Sequence, residues 1–154
     1  MFDAAPVQIS CSCSTASLHI SGMPLFRACC HCRSCRSFNK IPFADVTVFR
    51  ATEVLLQEES TVEFKTYQKP PLVKRGSCVF CKNPVVENIS IPVLPNLKII
   101  PSALLPDELK TNMDFHIFYH RRVVDVDDDK PKYNNFVTSQ MAFMQALLKS
   151  LRAS

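Results

Sequence analysis

Apolar and polar residues alternate along much of this chain in short runs. Ser17–Ile20 (SLHI) and residues 61–67 (TVEFKTY) switch at period two, as strands buried on one face do. Residues 43–49 (FADVTVF) and 84–91 (PVVENISI) are rich in β-branched and aromatic side chains and read as further strands. Val123 and Val124 are placed in another. Eleven prolines punctuate these runs, among them Pro70-Pro71, Pro92, Pro95, Pro101 and Pro106. Proline cannot donate to a central ladder, so these mark edges and loops. From Ser139 the period changes. Met141, Met144, Leu147, Leu148 and Leu151 recur at helical spacing, with Lys149 and Arg152 in the last turn. The pattern predicts a mainly β fold: a single domain of several short antiparallel sheets over 7–136, extended by a C-terminal amphipathic helix over 137–154. The helix is expected to pack on the sheet. Its alternative use is a homodimer contact, because methionine-rich faces adapt to partners.

Composition narrows the function classes. A chain of 154 residues suits one domain, and 47% hydrophobic with 21% charged residues is enough for a core. No uncharged apolar run approaches the ~18 residues of a membrane span. The start, MFDAAPVQIS, lacks a basic segment and a long apolar stretch, so no secretory signal and a reducing, cytoplasmic setting are expected. The Asn88-Ile89-Ser90 sequon is idle in that setting. A net charge of +4 permits nucleic-acid binding without arguing for it, since the basic residues are scattered and no aromatics interleave with them.

The cysteine count changes the picture most. Eight cysteines fall in three groups: Cys11 and Cys13, then Cys29, Cys30, Cys32 and Cys35, then Cys78 and Cys81. Four disulfides are formally possible, but the spacings within groups suit internal bridges poorly. Metal fits better. A CxC and a distant CxxC together offer four thiolates, the donor set of a closed structural zinc site. Cys30, Cys32 and Cys35 offer three on one tight turn, and three protein ligands leave an open position of the catalytic kind. Arg33, Arg36 and Lys40 follow closely, suited to offset thiolate charge or to meet an anionic substrate.

Smaller signals have plainer readings. Cys29 reads as a buried apolar residue. His31 points away from its flanking cysteines if the chain is extended there, with a fourth-ligand role as the minor alternative. His116 reads as structural, and Asp127-Asp128-Asp129 as a solvated turn.

The strings Cys11-Ser-Cys13, Cys30-His-Cys-Arg-Ser-Cys35-Arg36 and Cys78-Val-Phe-Cys81 resemble the glutathione-dependent formaldehyde-activating enzyme family, which also includes centromere protein V. His116-Ile117-Phe118 followed by Arg121 and Arg122 resembles a late strand of the same family, so the likeness runs over about residues 8–135. The resemblance implies a mostly β fold with two zinc ions. Cys11, Cys13, Cys78 and Cys81 would hold a structural one, and Cys30, Cys32 and Cys35 a catalytic one. It implies a carbon–sulfur lyase that condenses glutathione with formaldehyde to S-hydroxymethylglutathione. Glutathione is then a co-substrate, with Arg33 and Arg36 as its contacts. The family's glycines after the CxC, after the CxxC and after the CR segment are replaced here by Ser14, by Lys82-Asn83-Pro84 and by Ser37-Phe38-Asn39-Lys40. Glycine allows positive φ and close ligand approach, so these changes bear on the substrate pocket more than on the metals. A non-catalytic zinc module that binds protein or nucleic acid is the alternative function, and a thiol switch on CCHCRSC a third.

Overall fold

The computed structural model describes residues 5–153. A three-stranded antiparallel sheet is built from β1 (Val7–Ser10), β2 (Ser17–Ile20) and β5 (Val54–Leu56), in the order β1-β2-β5. The remaining strands are β3 (Phe26–Cys30), β4 (Ala44–Arg50), β6 (Val62–Lys65), β7 (Val73–Cys78), β8 (Pro84–Ile89), β9 (Leu97–Pro101) and β10 (Phe115–Ile117). They form one seven-stranded sheet in the order β10-β3-β4-β9-β8-β7-β6. Every pair in it is antiparallel except β10–β3, which is parallel. Two helices complete the fold, α1 (Arg33–Asn39) and α2 (Phe136–Ala153).

Alternation along the strands separates two cores. Ile9, Leu18, Ile20, Val54 and Leu56 of the small sheet pack on Phe49, Val86 and Ile100 of the large one. On the other side Phe26, Ala28, Val46, Val48, Ile99 and Phe115 pack with Ala142 and Leu147 of α2. Phe143 adds an edge-on contact to Phe26, with ring centres 5.1 Å apart. The helix therefore packs on its own sheet, as expected. Met144, Leu147 and Leu151 turn inward, while Met141 and Leu148 stay exposed. It starts earlier than Ser139 because Asn135 caps it, its Oδ1 accepting from Thr138 N–H at 2.8 Å. The predicted terminus, Ser154, lies outside the described residues. Val123 and Val124 are exposed and sit in a bend rather than a strand. No helix among the described residues is long and apolar enough to cross a membrane.

Three of the replaced glycines keep glycine's backbone. Ser14, Lys40 and Lys82 have φ of 64°, 55° and 64°. Lys40 ends α1 in the left-handed conformation that glycine usually supplies. An L side chain costs roughly 1–2 kcal/mol there, and glycine returns part of that through about 0.5–1 kcal/mol of extra chain entropy. Lys40→Gly is therefore expected to stabilise the protein by about 0.5–1 kcal/mol. An unchanged or lower urea midpoint would show that the side chain compensates.

Candidate metal centres

Two hairpin turns build the first centre. Cys11 and Cys13 lie in the β1–β2 loop, while Cys78 ends β7 and Cys81 lies in the β7–β8 loop. Each loop closes in the same way. Ser14 N–H donates to the Cys11 carbonyl at 2.9 Å, and Lys82 N–H to the Cys78 carbonyl at 3.0 Å. Asn83 Nδ2 joins the two loops by donating to Ser12 Oγ at 2.8 Å. The four sulfurs lie within 4.8 Å of one another. Cys11 and Cys13 Sγ are 3.4 Å apart, and Cys13 and Cys78 Sγ 3.6 Å. Backbone N–H groups of Ala16, Phe80 and Cys81 point at these sulfurs, at 3.4, 3.4 and 3.5 Å. Amide donors aimed at sulfur favour thiolates. Cys13 is pulled down to about 6, first by hydrogen bonding to Thr15, whereas burial pushes Cys78 up to about 11 against its two amide donors. Four soft donors with thiolate-stabilising amides fit a tetrahedral ion.

The second centre forms where β3 runs into α1. Cys30 ends the strand and Cys32 caps the helix, its Sγ accepting from Cys35 N–H at 3.4 Å. The sulfurs of Cys30, Cys32 and Cys35 lie within 4.8 Å of one another. Cys30 and Cys35 are buried, whereas Cys32 is half-buried. Cys30 Sγ donates to Cys32 Sγ at 3.4 Å. Cys32 is pulled down to about 3, first by hydrogen bonds from the Cys30 and Cys35 thiols, while the same bond to Cys32 pushes Cys30 up. Cys32 thus accepts hydrogen bonds within a trio of sulfurs that could hold a metal ion.

Sequence reasoning missed the group behind this centre. Arg75 and Glu87 are both buried, with Nε and Oε1 2.7 Å apart. Arg75 Nη2 also donates to Cys35 Sγ at 3.7 Å, and its guanidinium stacks on Tyr67 at 5.5 Å. Burial pushes Glu87 up to about 7 against the pull of Arg75. Arg75, from β7, is the guanidinium that touches the cysteines. Arg33 is exposed, and Arg36 Nε donates to the His31 carbonyl at 3.1 Å. Arg75 sits in VKRGSC, whose alternation is broken by a bulge at Gly76 and Ser77, so no pattern marked it. A cross-strand ladder is visible only once β7 and β8 are paired, Arg75 opposite Glu87. Arg75→Met leaves Glu87 buried without a partner and is expected to destabilise by about 3 kcal/mol. Arg75→Met with Glu87→Leu should recover most of that loss in chemical denaturation. No recovery would mean that the ion pair is not where the loss arises.

A third group lies on the opposite face of β3. His31 Nε2 and His116 Nδ1 are 2.9 Å apart, and both rings are fully buried. His116 Nε2 meets Asp128 Oδ2 at 2.7 Å, and Lys132 Nζ donates to Asp128 Oδ1 at 2.6 Å. Asp128 is therefore an anchor rather than a freely solvated turn residue. The Lys132 bond, then the His116 bond, hold it below the usual carboxylate range. Burial lowers His31 to about 4, so it is neutral. Cys29 is buried, and burial pushes its thiol up to about 12. His31 does turn away from Cys30 and Cys32, and it joins Cys29 and His116 instead.

Cysteine clusters at a strand-to-helix corner and across two hairpins of a mainly β domain could hold metal ions. The profile of the family described as glutathione-dependent formaldehyde-activating enzyme matches residues 6–121, more than half of the chain. The chain belongs to that family, and the family is associated with glutathione-dependent formaldehyde activation. Among solved structures, a crystal structure of a Rhodobacter sphaeroides protein is similar, with a TM-score of 0.53 at 15% identity, covering 70% of this chain and 98% of that one. That likeness concerns the fold. No curated protein matches.

Proposed function

We propose that the protein makes and breaks the carbon–sulfur bond between glutathione, or a similar thiol, and formaldehyde or another small carbonyl compound. It would act as a zinc-dependent carbon–sulfur lyase. The observation that carries this is the triplet: three sulfurs within 4.8 Å of one another, with Cys32 half-buried at the rim. Cys11, Cys13, Cys78 and Cys81 are assigned a closed structural zinc, and Cys30, Cys32 and Cys35 a second with a position free for substrate. Zinc, if held by Cys30, Cys32 and Cys35, would supply Lewis acidity that lowers the pKa of a substrate thiol.

The chain's own groups do the rest. The Cys35 N–H and the Arg75 guanidinium offset the negative charge of the cysteine sulfurs. Burial of Cys30 and Cys35 keeps water off the inner side of the cluster. Arg33 and Arg36, on α1 beside Cys32, are assigned the carboxylates of the thiol substrate. The substrate thiol gives up its proton, and its sulfur forms the bond to the carbonyl carbon. The C=O π pair moves to oxygen, which takes up a proton. Nothing is oxidised or reduced, and the reverse step returns both reactants.

The same reading treats 7–136 as the catalytic domain and 137–154 as an extension, in a cytoplasmic protein. Outward-facing Val137, Met141 and Leu148 are assigned to a homodimer contact, which the mass in solution by light scattering tests. The reaction is tested by exchange NMR on an equilibrium mixture of glutathione, formaldehyde and their adduct. Metal-loaded protein should produce exchange cross-peaks well above the spontaneous rate. Exchange at the spontaneous rate, with both clusters loaded, overturns the proposal.

A further inference from the structure

We infer that Cys29, His31 and His116 form a third metal site, on the sheet face opposite the cysteine triplet, for a divalent transition-metal ion such as zinc. The argument begins with alternation. Successive side chains of a strand face opposite ways. Cys30 of β3 turns toward the core that holds Cys35 and α2, so Cys29 and His31 turn to the other face. The parallel neighbour β10 sets His116 in register with Cys29. One position on β3, the residue just past its end and one on β10 thus bring a thiol and two imidazoles together, with donor atoms within 4.8 Å of one another.

This donor set is the borderline kind that zinc and cobalt prefer. The hydrogen bonds around it leave it incomplete. The charged Asp128 Oδ2 accepts a hydrogen bond from His116 Nε2–H, so His116 Nδ1 carries a lone pair. His31 Nε2 then donates to that lone pair, and His31 Nδ1 is left bare. That atom is buried and has no hydrogen-bond partner among the described residues. One imidazole nitrogen of these three residues is therefore uncommitted.

The surroundings suit a cation. Asp128 fixes the ring of His116 from behind, as carboxylates do for metal-ligating histidines. Asp45 is in register with Cys29 across β4, and its charge is balanced by Arg27 at 2.6 Å. Tyr119 covers both rings edge-on, with centres 5.0 and 5.8 Å away. Binding would break the His31–His116 hydrogen bond, so that each ring turns one nitrogen to the ion, and would release one proton, that of the Cys29 thiol, to solvent. Both histidines bind as neutral rings.

Cadmium-113 NMR of the full chain loaded with cadmium tests this without any activity assay. The wild type is expected to show, besides its sulfur-rich resonances, one resonance far upfield of them from a site with one sulfur and two nitrogens. That resonance should vanish in Cys29→Ala and in His116→Gln, with metal content lower by one equivalent per chain and the sulfur-rich resonances unmoved. Those resonances also report whether a variant has folded. If a variant does not fold, the wild-type spectrum decides: its upfield resonance supports the site. A folded wild type with sulfur-rich resonances alone overturns it, as does an upfield resonance that survives in folded Cys29→Ala. The number of sulfur-rich resonances tests the two all-cysteine centres separately.

Discussion

Cys78→Ser is expected to unfold much of the protein rather than remove one contact. Cys78 is fully buried, and its sulfur accepts from two backbone N–H groups while lying 3.6 Å from Cys13 Sγ. The cluster it belongs to joins the loop of the small sheet to a hairpin of the large one. Structural zinc in small domains contributes about 10–16 kcal/mol of apparent binding energy that is also folding energy. Whole domains are stable by only about 5–15 kcal/mol. Losing one ligand of four therefore consumes a large share of the total. Circular dichroism melts and zinc content measure it. The variant should purify with one zinc fewer and melt at least about 10 °C lower, as expected for a loss of several kcal/mol at this size. A variant that lacks that zinc yet melts within a few degrees of wild type would show that the sheets hold each other without it.

Cys32→Ser is expected to do the opposite: keep the fold and lose the reaction. Cys32 caps α1 through its side chain, and serine is among the best residues for that position. It is also the half-buried member of its cluster, so its replacement opens no cavity. Serine, however, is a poor zinc ligand beside two thiols. Turnover should fall by at least about 10³-fold, equivalent to roughly 4 kcal/mol of barrier. The melting temperature should shift little, and the Cys11, Cys13, Cys78 and Cys81 ion should remain. Turnover within tenfold of wild type would place the chemistry elsewhere.

Much of this was legible before folding. β2 matches its alternation residue for residue, because one of its faces is buried and the other is only half-covered. The strands at 84–91 and 43–49 were found with ends one or two residues off. The short strands β1 and β5 were not, β5 because its three residues carry too little period. α1 was missed for a similar reason: seven residues, started by a cysteine cap and ended by a lysine in a glycine's conformation. The cysteine groups were legible because cysteine spacing is local to each loop. Their supports were not. Arg75, Glu87 and Asp128 reach their sulfurs and rings only through strand pairing or a distant loop, and nothing in their own neighbourhoods marks them. Cys29 and His31 were read singly, because the residue that joins them, His116, arrives 85 positions later.

The clamp between the two hairpins also sets an order of assembly. Cys13 and Cys78 are 65 positions apart, so closing that loop costs about 4 kcal/mol of chain entropy before any contact repays it. The N-terminal hairpin can fold early, but its two thiols must wait on an emerging chain until Cys81 has been made. The outer edge of β3 waits longer still, for β10 pairs with it from the far end of the sequence. Refolding should therefore be slow, with metal uptake following the long-range closure, and a chain halted before residue 78 would carry half of a metal site that it cannot complete.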